Sequence, residues 1–287
     1  MLQILMDLRF VRRIMSMNDI NSIITSTSYH YPFGYISGRI VEYDMIKANI
    51  SVLRYADIIS QEQYDYLKRL PKQLREKEIG LMELKDYTLY QRKASLINEF
   101  KLQFAKLNAL KDYEVIRVAN DAIYVNRPMD LEYTKMNEFV EFRTGEPWDV
   151  YIGMKDLEIF YRYHQNNNVL DIKGVNDNSL YLHNEDGMLN IFTNVIIYME
   201  RSSIDYAIEY LSDMIKQYVA RQLPINYYRE FNSRSMFHIV VNGISYYVLD
   251  GSRLNPNEIE IDYNLYILRE LWGIITSIYN QNQRRRL

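Results

Sequence analysis

The stretch "GRIVEYDMIKANISVL", from Gly38 to Leu53, contains a strand-like run that passes directly into a helix-like one. Arg39 to Tyr43 has the β-branched and aromatic residues typical of a buried strand, and the run ends at Asp44. The segment that follows has helical character to about Ile58. A carboxylate at this junction either caps the helix or holds a metal ion.

A second aspartate stands in the clearest β signal of the chain, "YEVIRVANDAIYVNRP" from Tyr113 to Pro128. Asn120 and Asp121 separate two β-branched runs, which predicts a hairpin with Asp121 at or beside its turn. If the strands that carry Asp44 and Asp121 are neighbours in one sheet, the two carboxylates converge on its rim. Paired aspartates on adjacent strands suit a two-metal phosphoryl-transfer site. The alternative is that each has a local role, one as a helix cap and one as a turn residue.

The composition is that of a globular protein and excludes several kinds of site. Hydrophobic residues make up 48% and charged residues 25% of the 287 residues. The chain has no cysteine, which excludes disulfides and cysteine-ligated metals. None of the four histidines has metal-ligand spacing, so carboxylates would have to hold any metal ion. Such ligands suit Mg²⁺ or Mn²⁺.

Charge and hydropathy bear on partners and location. The formal net charge of −3 argues weakly against a protein coated in nucleic acid, although local basic clusters leave a positive groove open. The apolar start of the chain is interrupted by charged residues, and no stretch approaches the length of an uncharged membrane span. We therefore expect a cytoplasmic protein, in the host cytoplasm if it is viral, with no membrane partner.

Helices and loops are predicted before the hairpin, and strands and then helices after it. The first group is a helix over residues 2–17, a loop over Ser26–Gly38, a capping box at Ser60 and Gln63, and two basic amphipathic helices from Pro71 to about Leu110. The second group is strands at 135–143 and 158–164, a last β-rich run at 166–174, helices from about Leu189, a hairpin around Asn242-Gly243 and a terminal helix from Asn264. This order predicts an α+β fold with a β-rich half and a mainly helical half.

The order of these motifs resembles that of family B DNA polymerases. "DMIKANISVL" is similar to motif A, D-x-x-S-L-Y-P-S, with Asp44 on the metal-binding aspartate and Ser51 on the final serine. "KQLREKEIG" is similar to motif B, K-x-x-x-N-S-x-Y-G, and keeps Lys72 and Gly80. "ANDAIYV" is similar to motif C, D-T-D-S-I-Y-V, with Asp121 on the second aspartate.

The resemblance extends over residues 31–225 and implies a fold and a division of the chain. The implied fold is a polymerase-palm-like antiparallel sheet with inserted and flanking helices, followed by a mainly helical thumb-like part. The palm-like domain, with reduced fingers, would cover residues 1–185. The thumb-like domain, with a C-terminal hairpin, would cover residues 186–287.

The resemblance also implies roles for individual residues in nucleotidyl transfer on a primer–template. Asp44 and Asp121 would be the catalytic metal ligands, for Mg²⁺ or Mn²⁺. Lys72, helped by Arg75, would neutralise the nucleoside triphosphate, and Asn49 stands where the family has the tyrosine that packs under the sugar. In "VLDIKGV", Lys173 corresponds to the family's lysine near the primer–template.

Departures from the family pattern keep two other hypotheses open. Ala119 replaces the first aspartate of motif C, Asn49 the tyrosine of motif A, and Glu76 the asparagine of motif B. These changes favour a catalytically inactive palm-fold protein that binds nucleic acid or a replication partner. The third hypothesis is an unrelated phage structural or interaction protein in which both aspartates have local roles.

Overall fold

The computed structural model describes residues 19–31, 34–164, 167–174, 187–228, 238–241, 244–247 and 262–286. These residues form a mixed α+β protein with an antiparallel sheet, so the predicted fold class is confirmed. The chain divides into two compact units, the first made of Met1–Tyr31 and Gly38–Pro147, the second of Pro32–Ser37 and Trp148–Leu287. The predicted boundary between residues 185 and 186 lies outside the described residues and stays a prediction.

Among its described residues, the first unit contains five α-helices, four complete strands and most of a fifth. Its helices are α1 (Ile20–Ile24), α2 (Ala48–Tyr55), α3 (Gln61–Arg69), α4 (Lys72–Lys85) and α5 (Tyr87–Leu107). Its strands are β1 (Ser28–His30), β2 (Gly34–Met45, which begins in the second unit), β3 (Val115–Ala119), β4 (Ala122–Asn126) and β5 (Phe142–Thr144).

The sheet of the first unit has the order β1-β3-β4-β2, and β5 pairs with the other side of β2. Every registered pair is antiparallel. Helix α5 packs on this sheet because Ile97, Phe100 and Phe104 recur on one helical face. They meet Val41 and Tyr43 of β2 in one buried cluster, and each such side chain contributes roughly 1.5–3 kcal/mol through burial.

Helices α2, α3 and α4 share a second, smaller apolar cluster with the start of α5. Ile50, Leu67 and Ile79 are among its buried members. The capping box that the sequence predicts is present, because Ser60 accepts from the Gln63 N–H and the Gln63 side chain accepts from the Ser60 N–H. The two helices predicted after Pro71 are α4 and α5.

The second unit combines antiparallel strands with long helices. Its elements are β6 (Trp148–Gly153), β7 (Glu158–His164), β8 (Asn167–Lys173), α6 (Gly187–Arg201), α7 (Ile204–Val219), β9 (His238–Val241), β10 (Ile244–Tyr247) and α8 (Asp262–Arg286). Strands β9 and β10 form the predicted hairpin, whose Asn242-Gly243 turn lies outside the described residues. Val150 and Ile159 of the strands are buried in one cluster with Phe192, Leu211 and Leu268 of the helices.

Two local predictions were wrong and one strand was missed. The loop predicted over Ser26–Gly38 contains β1 and the start of β2, because tyrosine and isoleucine favour strands despite the Gly and Pro residues nearby, and Tyr29 of β1 pairs with Val118 of β3. Of the strand predicted at 135–143, only the end belongs to β5. The Asn137 side chain accepts the N–H groups of Phe139 and Val140 and so forms a turn. Strand β6 was not predicted.

The helix predicted over residues 2–17 lies outside the described residues. Among the helices that the structure does describe, none is both long enough and apolar enough to cross a membrane.

Candidate functional site

Asp44 lies inside β2, one residue before the end of the strand, and does not cap α2. Its neighbours in the sheet are Ala122 of β4 on one side and Arg143 of β5 on the other. The Arg143 Nη2 donates to Asp44 Oδ2 at 2.9 Å, an ion pair between partly exposed side chains. The N-cap of α2 is Lys47, and it makes no side-chain capping bond. The interpretation of Asp44 as a helix cap is therefore wrong.

Asp121 occupies the turn between β3 and β4, as the sequence predicts. Ala119 pairs with Ala122, which leaves Asn120 and Asp121 as the turn residues. The Met45 N–H donates to the Asp121 carbonyl oxygen at 3.0 Å, so this turn lies beside the end of β2. Burial raises the pKa of Asp121, and the Asp44 carboxylate raises it further. The structure therefore brings the two aspartates into electrostatic range of each other.

The first turns of α4 contribute charges around Asp121. Lys72 is the exposed first residue of α4, and its ammonium opposes the rise in the pKa of Asp121. Glu76, one turn later, has the opposite effect on that pKa. Asn49 Nδ2 of α2 donates to Glu76 Oε2 at 2.6 Å, and Arg75 Nε lies 3.7 Å from Glu76 Oε1. Of the three predicted nucleotide-binding residues, Asn49 and Arg75 contact Glu76, and Lys72 lies one turn before it on the same helix.

Glu76 was not predicted as a site residue. The signal that could have found it is its spacing, four residues after Lys72 and therefore on the same face of the helix.

Lys101 is a second residue that the sequence analysis missed. It is fully buried on α5, and its Nζ donates to the Ser26 carbonyl at 3.2 Å. Burial lowers the pKa of Lys101 to about 8, while attraction to Asp121 partly opposes this shift. Its position beside Phe100 and one turn before Phe104 could have placed it on the buried face of α5.

Lys173 belongs to the second unit, where it ends β8. Its Nζ lies 2.8 Å from Asp171 Oδ2. Gly174 follows with a φ of 92°, and a Cβ atom there would lie 2.2 Å from the Asp156 carbonyl oxygen. The backbone conformation at position 174 and the nearby Asp156 carbonyl therefore explain why this residue is glycine. The contact of Lys173 with a primer–template stays a prediction.

The aspartate pair has the kind of ligand that Mg²⁺ or Mn²⁺ prefers, but too few protein ligands to fill the coordination of such an ion. Mg²⁺ is commonly held by one or two carboxylates together with substrate phosphates and waters, which Asp44 and Asp121 could satisfy. Among the described residues no group of three or more His, Cys, Asp or Glu side chains could hold a metal ion. Any ion here would therefore take its remaining ligands from water or the substrate, and Arg143 would compete with it for Asp44.

Residues 28–277 match the model of the family described as Bacteriophage PBS1 gene 130 protein. The match covers most of the chain, so the protein belongs to this phage family. No curated protein matches the sequence. Neither comparison supports the resemblance to family B DNA polymerases, which stays a prediction.

Proposed function

We propose that this phage-family protein is a nucleotidyltransferase that acts on nucleic acid with the help of two divalent metal ions. One observation carries the proposal. Asp44 lies near the end of β2 and Asp121 in the turn that leads into the neighbouring strand β4, and they interact strongly enough for Asp44 to raise the pKa of Asp121. The two carboxylates repel each other, and a bound cation would offset that repulsion. The charge of Lys72 beside them would in turn be offset by a phosphate group.

Each residue has a definite part in the proposed reaction. Asp44 and Asp121 hold Mg²⁺ or Mn²⁺, which when bound supplies activation of the attacking oxygen and neutralisation of the leaving group. Lys72 and Arg75 neutralise the nucleoside triphosphate, and Asn49 lies at the nucleotide. Lys173, in the second unit, contacts the backbone of the primer–template.

The bond changes follow from this assignment. The primer 3′-hydroxyl oxygen forms a bond to the α-phosphorus of the nucleotide. The bond from that phosphorus to the bridging oxygen breaks, and pyrophosphate leaves with its charge opposed by Lys72 and Arg75. The hydroxyl proton passes to solvent. The chain's contribution is mainly positional and electrostatic, as in other phosphoryl transfers.

The direct test is a calorimetric titration of Mn²⁺ in the presence of a primer–template and a nucleotide. We expect the wild type to bind Mn²⁺ and Asp44→Asn/Asp121→Asn to lose that binding. The matched control is Glu62→Gln/Glu138→Gln, which removes two exposed carboxylates of the same unit and should bind like the wild type. Equal heats in the wild type and the aspartate double variant would reject the metal site. Primer extension with the same proteins then tests catalysis.

A second candidate function is binding of nucleic acid or a replication partner without catalysis. The observation that favours it is the ion pair of Asp44 with Arg143, because a carboxylate engaged in this way is less available to a metal ion. This candidate predicts that Asp44→Ala leaves binding of a labelled primer–template unchanged in fluorescence anisotropy. It also predicts no primer extension by the wild type.

A further inference from the structure

Three cationic side chains lie together in the first unit, where α2, α3 and α4 meet. Lys47 precedes α2, Lys68 lies in the last turn of α3, and Arg75 lies in the first turn of α4. The Lys47 ammonium donates to the Lys68 carbonyl at 2.9 Å, which fixes it at this junction. The pKa of Lys47 is lowered by burial, and then by the charges of Arg75 and Lys68. The Lys47 ammonium is therefore near enough to the charges of Arg75 and Lys68 to be repelled by both.

Arg75 is the most buried of the three, with only 8% of its surface exposed. Its Nη1 donates to the Leu70 carbonyl at a long 3.4 Å, and its Nε lies 3.7 Å from Glu76 Oε1. Within the part of the chain that the structure describes, these are its contacts to acceptor oxygens. A guanidinium has five N–H donors in a planar fork, and no nitrogen of Arg75 is both buried and without a hydrogen-bond partner, so its remaining donors are accessible from solvent.

The backbone at this junction also leaves donors for an anion. Lys47 has a φ of 49°, in the left-handed region that non-glycine residues rarely adopt. Helix α4 begins after Pro71 with no side-chain cap and no acidic residue in its first turn. The first N–H groups of α4 therefore have no side-chain acceptor, and the positive end of the helix dipole lies beside Arg75.

A purely structural role explains these observations less well. Lys47 and Arg75 do donate to two carbonyl groups of the α3–α4 connection, Lys68 and Leu70. A neutral side chain could satisfy a carbonyl equally well and without repulsion between cations. The three cations exceed the charge of the Glu76 carboxylate beside Arg75, and this excess of positive charge is what a bound anion would offset.

We propose that Lys47, Lys68 and Arg75 form an anion site that takes the polyphosphate group of a nucleotide. Three positive charges in a small volume match the dense charge of a di- or triphosphate better than that of a single phosphodiester. The site also adjoins the aspartate pair, because Glu76 contacts Arg75 and its charge reaches Asp121. Naming the anion as the polyphosphate of a nucleotide rests on the proposed function, whereas the anion site itself can be measured without metal.

The test is calorimetric titration of inorganic tripolyphosphate in metal-free buffer. We expect the wild type to bind, and Lys47→Met and Lys68→Met each to weaken binding about tenfold, the equivalent of one charge-assisted hydrogen bond. Lys77→Met is the matched control, because it removes the same charge from an exposed position of α4. It should stay within about twofold of the wild type. Arg75→Lys keeps the charge but loses the fork, and should also weaken binding.

Several results would overturn the proposal. These are an absence of wild-type binding, an equal loss in Lys77→Met, or unchanged binding in Lys47→Met and Lys68→Met. Lys68 is exposed, so its variant tests the site even if a variant of Arg75 fails to fold. Equal competition by a single-stranded oligonucleotide would identify backbone phosphates as the ligand and reject the polyphosphate assignment. Tripolyphosphate binding by a protein that takes up no Mn²⁺ would keep the anion site and reject the proposed metal chemistry.

Discussion

Asp44 and Arg143 are 99 residues apart in sequence and directly opposite each other across β2 and β5, where they form an ion pair of 2.9 Å. The Asp44 carboxylate is thus held at the edge of the candidate site by a charge that a metal ion would have to displace. Both side chains are partly exposed, with 29% of the Asp44 and 69% of the Arg143 side chain accessible, so water weakens their attraction. We therefore expect that a cation, if it binds here, would open this ion pair.

Arg143→Gln should strengthen Mn²⁺ binding by about two- to fivefold, because an exposed ion pair of up to about 1 kcal/mol no longer competes for Asp44. The free energy of unfolding should fall by no more than about 1 kcal/mol. Calorimetric titration and urea denaturation measure the two quantities. Arg92→Gln removes the same charge from an exposed position of α5 and should leave the Mn²⁺ affinity unchanged. Weaker Mn²⁺ binding in Arg143→Gln would mean that the arginine supports the site instead of competing with it.

Asp121→Asn should stabilise the protein at pH 7, and the gain should disappear as the pH falls. The pKa of Asp121 is raised in the folded state, chiefly by burial and then by Asp44. The folded protein therefore binds the proton more tightly, and the penalty of the charged form is fully present only above the folded pKa. That penalty is relieved as the pH falls through the folded pKa towards the ordinary value of 3.8. Asparagine also suits a turn, so the substitution adds little strain.

Urea denaturation at pH 7 and near pH 4 tests this expectation. Glu138→Gln, at an exposed position, is the control and should show no comparable gain. A destabilised Asp121→Asn at pH 7 would mean that the carboxylate is held by favourable contacts, and the argument for a strained aspartate pair would fail.

The features that could be predicted from sequence are those formed by residues close together in the chain. The Ser60–Gln63 capping box and the Asn120-Asp121 turn are of this kind, because each depends on hydrogen bonds or backbone angles within a few residues. The surroundings of Asp44 could not be predicted in this way, because its partner Arg143 is distant in sequence. The irregular stretch before Arg143 also has apolar residues that resemble a strand, which hid the true start of β5. The local pattern at Asp44 fitted a helix cap equally well, and only pairing with two strands decided against it.

The burial of Lys101 is only partly a local feature, because its spacing places it near the apolar face of α5 and does not by itself remove its ammonium from water. A lysine on an amphipathic helix usually reaches water, and its burial depends on how α5 packs on the sheet. Strand β6 was missed for a related reason. All but one of its residues are buried, so it lacks an alternation of apolar and polar residues, and what makes it a strand is its pairing with β7.

Lys101→Met should stabilise the protein at pH 7 by about 1 to 3 kcal/mol. The pKa of Lys101 is about 8 when folded and 10.5 ordinarily, because burial disfavours the ammonium. The cost of the charged form is therefore fully present below pH 8 and is relieved as the pH rises from 8 towards 10.5. The Ser26 carbonyl loses a donor, which offsets part of the gain.

The measurement for Lys101→Met is the difference in free energy of unfolding from the wild type at pH 7 and pH 10. The difference should shrink at the higher pH. Lys106→Met, at an exposed position on the same helix, should change stability by less than about 0.5 kcal/mol at either pH. A Lys101→Met protein less stable than the wild type at pH 7 would show that attraction to Asp121 outweighs burial.

Gly80→Ala tests whether the glycine in α4 is needed for packing within the protein or for the approach of a ligand. A Cβ atom at Gly80 would meet nothing within 4 Å, and the residue lies inside a 14-residue helix. Alanine should therefore raise the free energy of unfolding by about 0.5–1 kcal/mol. Gly174→Ala provides the contrast. It should be destabilising by at least about 1 kcal/mol, because Gly174 has a φ of 92° and an added Cβ atom would clash with the Asp156 carbonyl oxygen. A loss of stability in Gly80→Ala would contradict the open space beside this glycine. A more stable Gly80→Ala that has lost nucleotide binding would mean that the glycine allows a ligand to approach the helix.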